Sequence, residues 1–273
     1  MRPMTPRPTP RLTPTLAPMT APRVALATAL LVATTGCAAA GSDAGAGGAD
    51  TTLTVFAAAS LTEGFTELGR DFEEDHSGVQ VRFSFGGSSD LVAQIENGAP
   101  ADVVATADEA TMAQLHADDL LKTDPRPFVT NTLEIAVPPG NPAAVRTFAD
   151  LADPDVDLVV CAPQVPCGAA AQAVAKEAHV QLHPVSEEQS VTDVLGKVET
   201  GEADAGLVYA TDVRAAGDAV KGIPFPESPS VVNRYPIAVV ADSSQPGLAQ
   251  RFIDLTLSAQ GRRVFQAAGF GSP

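Results

Sequence analysis

The chain has 273 residues, 45% of them hydrophobic, and 17 Lys+Arg stand against 33 Asp+Glu for a formal net charge of -16. Such acidity excludes a nucleic-acid binder, which needs a basic face to neutralise phosphates, and at first sight opposes a receptor for small anions. The apolar content allows one large or two medium cores, and 18% charged residues is too few for a disordered chain.

Residues 1–22 hold seven prolines and three arginines with no acid, a composition that forms neither helix nor sheet. An apolar run from Val24 to Ala33 then leads to Thr34-Thr35-Gly36-Cys37. A basic segment, a short apolar stretch and small residues describe an export signal over 1–36, and the run is too short to span a bilayer. The Gly-Cys ending resembles a bacterial lipobox with Cys37 as the lipidated residue, although Thr34 stands where Leu is usual; conventional cleavage near Ala38–Ala40 is the alternative. The small, Gly/Ala-rich residues 38–50 read as a flexible tether, so 37–51 is expected to be an anchored linker.

From Thr52 strands and helices alternate. Leu53 to Ala57 is an apolar run suited to a buried strand, and Ser60-Leu61-Thr62-Glu63 has the spacing of a capping box opening a helix to about Glu74. Val79 to Phe85 alternates as a strand, Gly86-Gly87-Ser88-Ser89 reads as a turn, and Asp90 to Asn97 as a helix. Asp102 to Thr106 is a third strand and Glu109 to Ala117 a third helix. A second series has strands at Leu133 to Val137, Leu158 to Cys161 and Ala205 to Tyr209, with helices from Gly168 to about Ala178 and from Val191 to Thr200. A strand from Tyr235 to Val240 and a helical run from Gly247 to Ala268, with Phe265 and Phe270 in the core, close the chain. Repeated strand-turn-helix units predict an α/β protein of two lobes, each a mostly parallel sheet flanked by helices. The chain is expected to form lobe I over 52–129, lobe II over 130–233, and to finish lobe I over 234–273.

Ligands of open α/β sheets bind beyond the carboxyl ends of the strands. The loops that fall there, Ala57 to Ser60, Gly86 to Ser89, Val165 to Gly168 and Ser190 to Thr192, contain small side chains and hydroxyls but no Lys or Arg. Helix N-termini present unpaired N–H groups and a partial positive charge, so several of them converging make an anion site without a cationic side chain. Cys161 and Cys167, in C-A-P-Q-V-P-C, lack zinc-knuckle or C-x-x-C spacing and make a plausible disulfide in an exported protein. The four histidines have no mutual metal spacing and read as surface residues. No G-x-S-x-G follows a strand, which disfavours a secreted hydrolase.

The segments V-F-A-A-A-S-L-T (Val55 to Thr62), F-G-G-S-S-D-L-V-A-Q-I-E-N-G-A-P-A-D-V (Phe85 to Val103), V-P-C-G (Val165 to Gly168), G-L-V-Y-A-T-D-V (Gly206 to Val213) and Y-P-I-A-V-V (Tyr235 to Val240) together resemble the molybdate-binding proteins of bacterial ABC transporters. The resemblance runs in order from Thr52 to about Phe270. It implies a periplasmic-binding-protein fold of the second type, and a monomeric, non-enzymatic receptor without cofactor. Such a receptor closes over molybdate or tungstate and delivers it to a membrane permease and its ATPase. By motif position it assigns hydroxyl and N–H donors to Ser60 and Ser88, backbone N–H donors to Cys167 and Val191, and the phenol to Tyr209. Cys167 stands where relatives often carry Ala, and is compatible with the site if only its N–H is used. Sulfate or phosphate is the alternative ligand within the fold, and Asp90 or Asp193 turned inward would supply the acceptor a phosphate proton needs.

Each residue also has an ordinary structural reading. Ser60 and Ser190 are typical helix caps, Ser88 and Ser89 typical turn residues, and Tyr209, like Tyr235, fits a core ring with its hydroxyl at the surface. If Ser60 is an anion donor, Glu63 must point away from its N–H. Loss of residues 1–36 removes four arginines and no acid, leaving 13 Lys+Arg against 33 Asp+Glu, a formal -20. Anion recognition in so acidic a protein has to come from short-range N–H and O–H donors.

Overall fold

The apolar runs form two sheets. A computed structural model of the protein describes residues 51–273; the export signal expected over 1–36, the lipidation expected at Cys37 and the expected tether as far as residue 50 lie outside the described residues. Strand β1 (Thr51–Ala58) begins one residue inside the expected tether because Thr51 already pairs with Val79. Leu53, Val55 and Ala57, which share one face of this strand, have no exposed surface, and Phe56 and Ala58 are buried on the other, so the C-terminal half of the strand is covered on both faces.

The first sheet takes its next strands from β2 (Val79–Gly86) and β3 (Val103–Ala105), both parallel to β1. It is completed by β4 (Arg126–Asn131) and by β10 (Asn233–Val239), in the order β2-β1-β3-β10-β4, with β10 antiparallel to both its neighbours. The second sheet is built from β5 (Leu133–Val137), β6 (Leu158–Cys161), β7 (Ser186–Glu188), β8 (Ala205–Tyr209) and β9 (Lys221–Ile223). Its order is β7-β6-β8-β5-β9, with β5 antiparallel to β8 and β9. The two sheets therefore repeat one topology, three parallel strands followed by an antiparallel one and an edge strand.

The chain leaves the first sheet after Asn131, enters the second at Leu133 and returns at Asn233, which pairs with Asn131. The expected lobe limits at 129/130 and 233/234 thus fall just inside β4 and β10, whose ladder continues through this asparagine pair.

Around the first sheet pack α1 (Thr62–Asp75), α2 (Ser88–Glu96), α3 (Glu109–Ala117), α7 (Pro246–Leu257) and α8 (Ala259–Ala267). Phe65 of α1 centres an aromatic cluster with Phe128, Phe252 and Phe265, at ring separations of 5.5–5.9 Å. The second sheet carries α4 (Pro166–Ala178), α5 (Val191–Glu199) and α6 (Ala210–Ala216). The terminal helical run is two helices rather than one. Ser258 ends α7 and caps α8 by accepting from the N–H groups of Gln260 and Gly261.

Candidate functional site

The turns that follow the strands of the two sheets meet around a small cavity. From the first sheet come Ala58 to Ser60 after β1, Gly86 to Ser88 after β2 and Ala107 beyond β3; from the second come Val165 to Cys167, Val191 and Tyr209. No residue of this lining carries a charge. All five residues to which the resemblance assigns donors, Ser60, Ser88, Cys167, Val191 and Tyr209, stand on its wall.

Three α-helices start at the wall, and each start exposes N–H groups that helix geometry leaves without an acceptor. Ser88 is the first residue of α2 and Val191 the first of α5. In α4 the first residue is Pro166, which has no N–H, so the first donor of that helix is Cys167. The helix dipoles add partial positive charge where these groups converge.

The side chains complete the set. Ser88 is 1% exposed, and its Oγ accepts the Ala107 N–H at 3.0 Å, which leaves the hydroxyl proton to donate into the cavity. Ser60 Oγ lies 3.0 Å from the hydroxyl of Tyr235. Tyr209 is 1% exposed and its hydroxyl, on the cavity wall, has no hydrogen-bond partner. Burial pushes the Tyr209 phenol well above its ordinary range, so it keeps its proton and is a donor at any physiological pH. A buried unpartnered hydroxyl is costly, and an incoming acceptor removes that cost.

The α4 turn is held by the Cys161–Cys167 disulfide, whose Cα atoms are 5.6 Å apart. The backbone folds back so tightly that a Cβ on Gly168 would lie 2.0 Å from the Ala162 carbonyl oxygen, so only glycine fits. The bond directs the Cys167 sulfur to Cys161 and leaves the residue's N–H as its polar contribution to the wall.

Several sequence expectations change in the structure. The capping box at Ser60 does not form, because a 3-10 turn over Ala59–Leu61 delays the start of α1 to Thr62 and Ser60 bonds Tyr235 instead. Glu63 is exposed and makes no bond to Ser60. Ser190 caps α5, accepting from the Asp193 N–H and donating to Asp193 Oδ2, and does not line the cavity. Asp90 and Asp193 are exposed and also stand outside the lining, so neither offers the cavity an acceptor.

Tyr235 was expected to reach the surface with its hydroxyl but is fully buried, directly behind Ser60. No local signal in Y-P-I-A-V-V reveals this role, since the partner serine lies 175 residues away in sequence. Beside the cavity lining the two halves touch directly, with Ser89 Oγ donating to the Gln164 carbonyl at 2.6 Å. Among the described residues, no group of three or more His, Cys, Asp or Glu is arranged to hold a metal ion.

The family model for bacterial extracellular solute-binding proteins matches residues 53–271. The molybdate-binding protein ModA of Mycobacterium tuberculosis strain H37Rv is 46% identical over 243 residues, which cover 89% of this chain and 93% of that protein. Among solved structures, the periplasmic molybdate-binding protein of Azotobacter vinelandii superposes with a TM-score of 0.71 at 22% identity, over 81% of this chain and 99% of that one. The sulfate-binding protein SubI of M. tuberculosis H37Rv reaches a TM-score of 0.66 at 24% identity, over 81% of this chain and 86% of that one. These two likenesses speak for the fold, a two-lobed periplasmic-binding-protein architecture of the second type. These relatives are solute-binding proteins, not enzymes. The chain, with its doubled five-stranded topology and a cavity at the strand ends, belongs to the bacterial extracellular solute-binding proteins and, among them, to the family of the ModA molybdate-binding proteins.

Proposed function

We propose that the protein captures molybdate, or the nearly isosteric tungstate, between its two lobes and delivers it to an ABC importer. One observation carries this reading: the cavity is lined by hydroxyls and helix-start N–H groups and by no charged residue. Molybdate at neutral pH is a dianion with four acceptor oxygens and no proton, so a matching site is made of donors alone. Ser60, Ser88 and Tyr209 would give hydroxyls, and Ser60, Ser88, Cys167 and Val191 backbone N–H groups. Hydrogen bonds to a charged group contribute about 1.5–3 kcal/mol each, so a few of them reach the roughly 8 kcal/mol of a micromolar complex. No cofactor is needed.

The ligand named for the 46% identical mycobacterial relative supports molybdate over other tetrahedral anions. Phosphate, which keeps a proton near neutrality, would require an acceptor, and no carboxylate stands on the cavity wall. Sulfate has the same charge and shape as molybdate and is disfavoured by size. Lipidation at Cys37 would hold the exported monomer at the outer face of the membrane, where a permease and its ATPase receive the anion.

Titration calorimetry with sodium molybdate tests the site. Ser88→Ala and Tyr209→Phe should each weaken binding about 5- to 150-fold, equivalent to about 1–3 kcal/mol, with the fold intact by circular dichroism. Unchanged affinity in both variants moves the site elsewhere.

A further inference from the structure

Behind Ser60, away from the cavity wall, a line of buried polar groups leads to the crossover between the sheets. Ser60 Oγ lies 3.0 Å from the Tyr235 hydroxyl, and the Asn131 amide nitrogen lies 3.5 Å from that same hydroxyl. The orientation of the Asn131 amide follows from its other contacts. Its Oδ1 accepts the Thr132 N–H at 3.0 Å, and its Nδ2 donates to Thr211 Oγ1 at 2.8 Å. With the carbonyl turned to a backbone donor, the NH2 group is the side that faces Tyr235.

A phenol oxygen that accepts from this amide retains its own proton to donate, and Ser60 Oγ is the acceptor at hand. A phenol is also far more acidic than an aliphatic alcohol, so in a Tyr–Ser pair the tyrosine gives the stronger bond as donor. Ser60 Oγ, already accepting, has its single proton left for the cavity. Donor runs of this kind polarise one another and strengthen the terminal bond.

We propose that Tyr235, oriented by Asn131, is the positioning residue that holds the Ser60 hydroxyl as a donor toward the bound oxyanion. The proposal rests on the reading of the cavity as an oxyanion site with Ser60 among its donors. Ser88 has the parallel arrangement, with the Ala107 N–H filling the role that Tyr235 fills for Ser60. Asn131 ends the strand at which the chain leaves the first sheet, and Thr211 belongs to a helix of the second lobe. The orientation of Ser60 is thereby tied to the crossover between the two sheets.

Tyr235→Phe removes the hydroxyl and keeps the ring packed edge-on against Tyr209 and Phe270. Molybdate titrations of Tyr235→Phe, Ser60→Ala and the double variant should show about tenfold weaker binding for each single change. The double variant should bind no more than about twofold less tightly than Ser60→Ala, because both changes break the same chain. The second measurement needs no change at Tyr235. The protein has 2 tyrosines, so a sample labelled at the tyrosine ζ-carbon gives two resonances, assigned with Tyr209→Phe. The Tyr235 resonance should move when molybdate is added and should not move in Ser60→Ala at saturating anion. Wild-type affinity in Tyr235→Phe, multiplicative losses in the double variant, or an unchanged Tyr235 response in Ser60→Ala overturns the proposal. Failure of the unsubstituted protein to bind molybdate is a different result and overturns the oxyanion reading on which the proposal stands.

Discussion

Gly87 of the first lobe faces Gln189 of the second so closely that a Cβ on the glycine would lie 1.9 Å from the Gln189 carbonyl oxygen. The backbone of Gly87 is in the ordinary extended region, φ -63° and ψ 135°, so the glycine is required by this approach and not by its own conformation. Gly87→Ala is therefore compatible with each lobe and incompatible with their closure. The variant should fold with a thermal midpoint close to that of the parent. Its affinity for molybdate should fall at least tenfold, and small-angle scattering should show no contraction on adding the anion. Parental affinity in this variant would mean that binding does not need the closed arrangement.

The Cys161–Cys167 disulfide closes a short loop, for which chain entropy predicts about 2 kcal/mol of stabilisation. Replacing both cysteines by alanine should lower the unfolding free energy obtained from urea denaturation by that order. Binding should weaken less than tenfold, since an alanine at 167 still offers its N–H at the start of α4. A larger loss of affinity than of stability would assign the sulfur atoms a direct part in the site.

Asp212 is buried, with its Oδ2 accepting the Tyr209 N–H at 2.9 Å, and burial pushes its carboxyl up from 3.8 to about 7. The unfolded chain releases this proton near pH 4 and the folded chain near pH 7, so between those values the folded state binds more protons. The contribution of Asp212 to stability is thus complete below about pH 4 and is lost as the pH rises to about 7, by up to about 4 kcal/mol. Asp212→Asn keeps an oxygen acceptor for the Tyr209 N–H and removes the titration. Denaturation free energies measured from pH 4 to 8 should show the variant gaining on the parent as pH rises. Parallel curves would refute the shifted carboxyl.

The parts of the fold legible in the sequence are those where a hydrophobic period is local and unbroken. Glu109–Ala117, Leu133–Val137, Leu158–Cys161 and Ala205–Tyr209 have the bounds that their patterns indicate. Strands β4, β7 and β9 escape notice because two are three-residue strands at sheet edges and the third opens with Arg126-Pro127. Their pairing is a tertiary fact, and Ser186–Glu188 has no apolar residue to announce it. The residues of the cavity wall could be named through the small-residue and hydroxyl turns at the strand ends, combined with the family resemblance. Ser60 shows the limit of local motifs. Its S-x-x-E spacing fits a capping box, yet a buried tyrosine from the far end of the chain takes the hydroxyl, and nothing near either residue encodes that pairing.

Calorimetric titration of the purified protein with molybdate, tungstate, sulfate and phosphate, at one pH and salt concentration, tests whether this uncharged cavity selects a fully deprotonated tetrahedral oxyanion of molybdate size. One molybdate or tungstate should bind per chain with a dissociation constant of about a micromolar or lower, with far weaker binding of sulfate and none of phosphate. Sulfate bound as tightly as molybdate would contradict that selection.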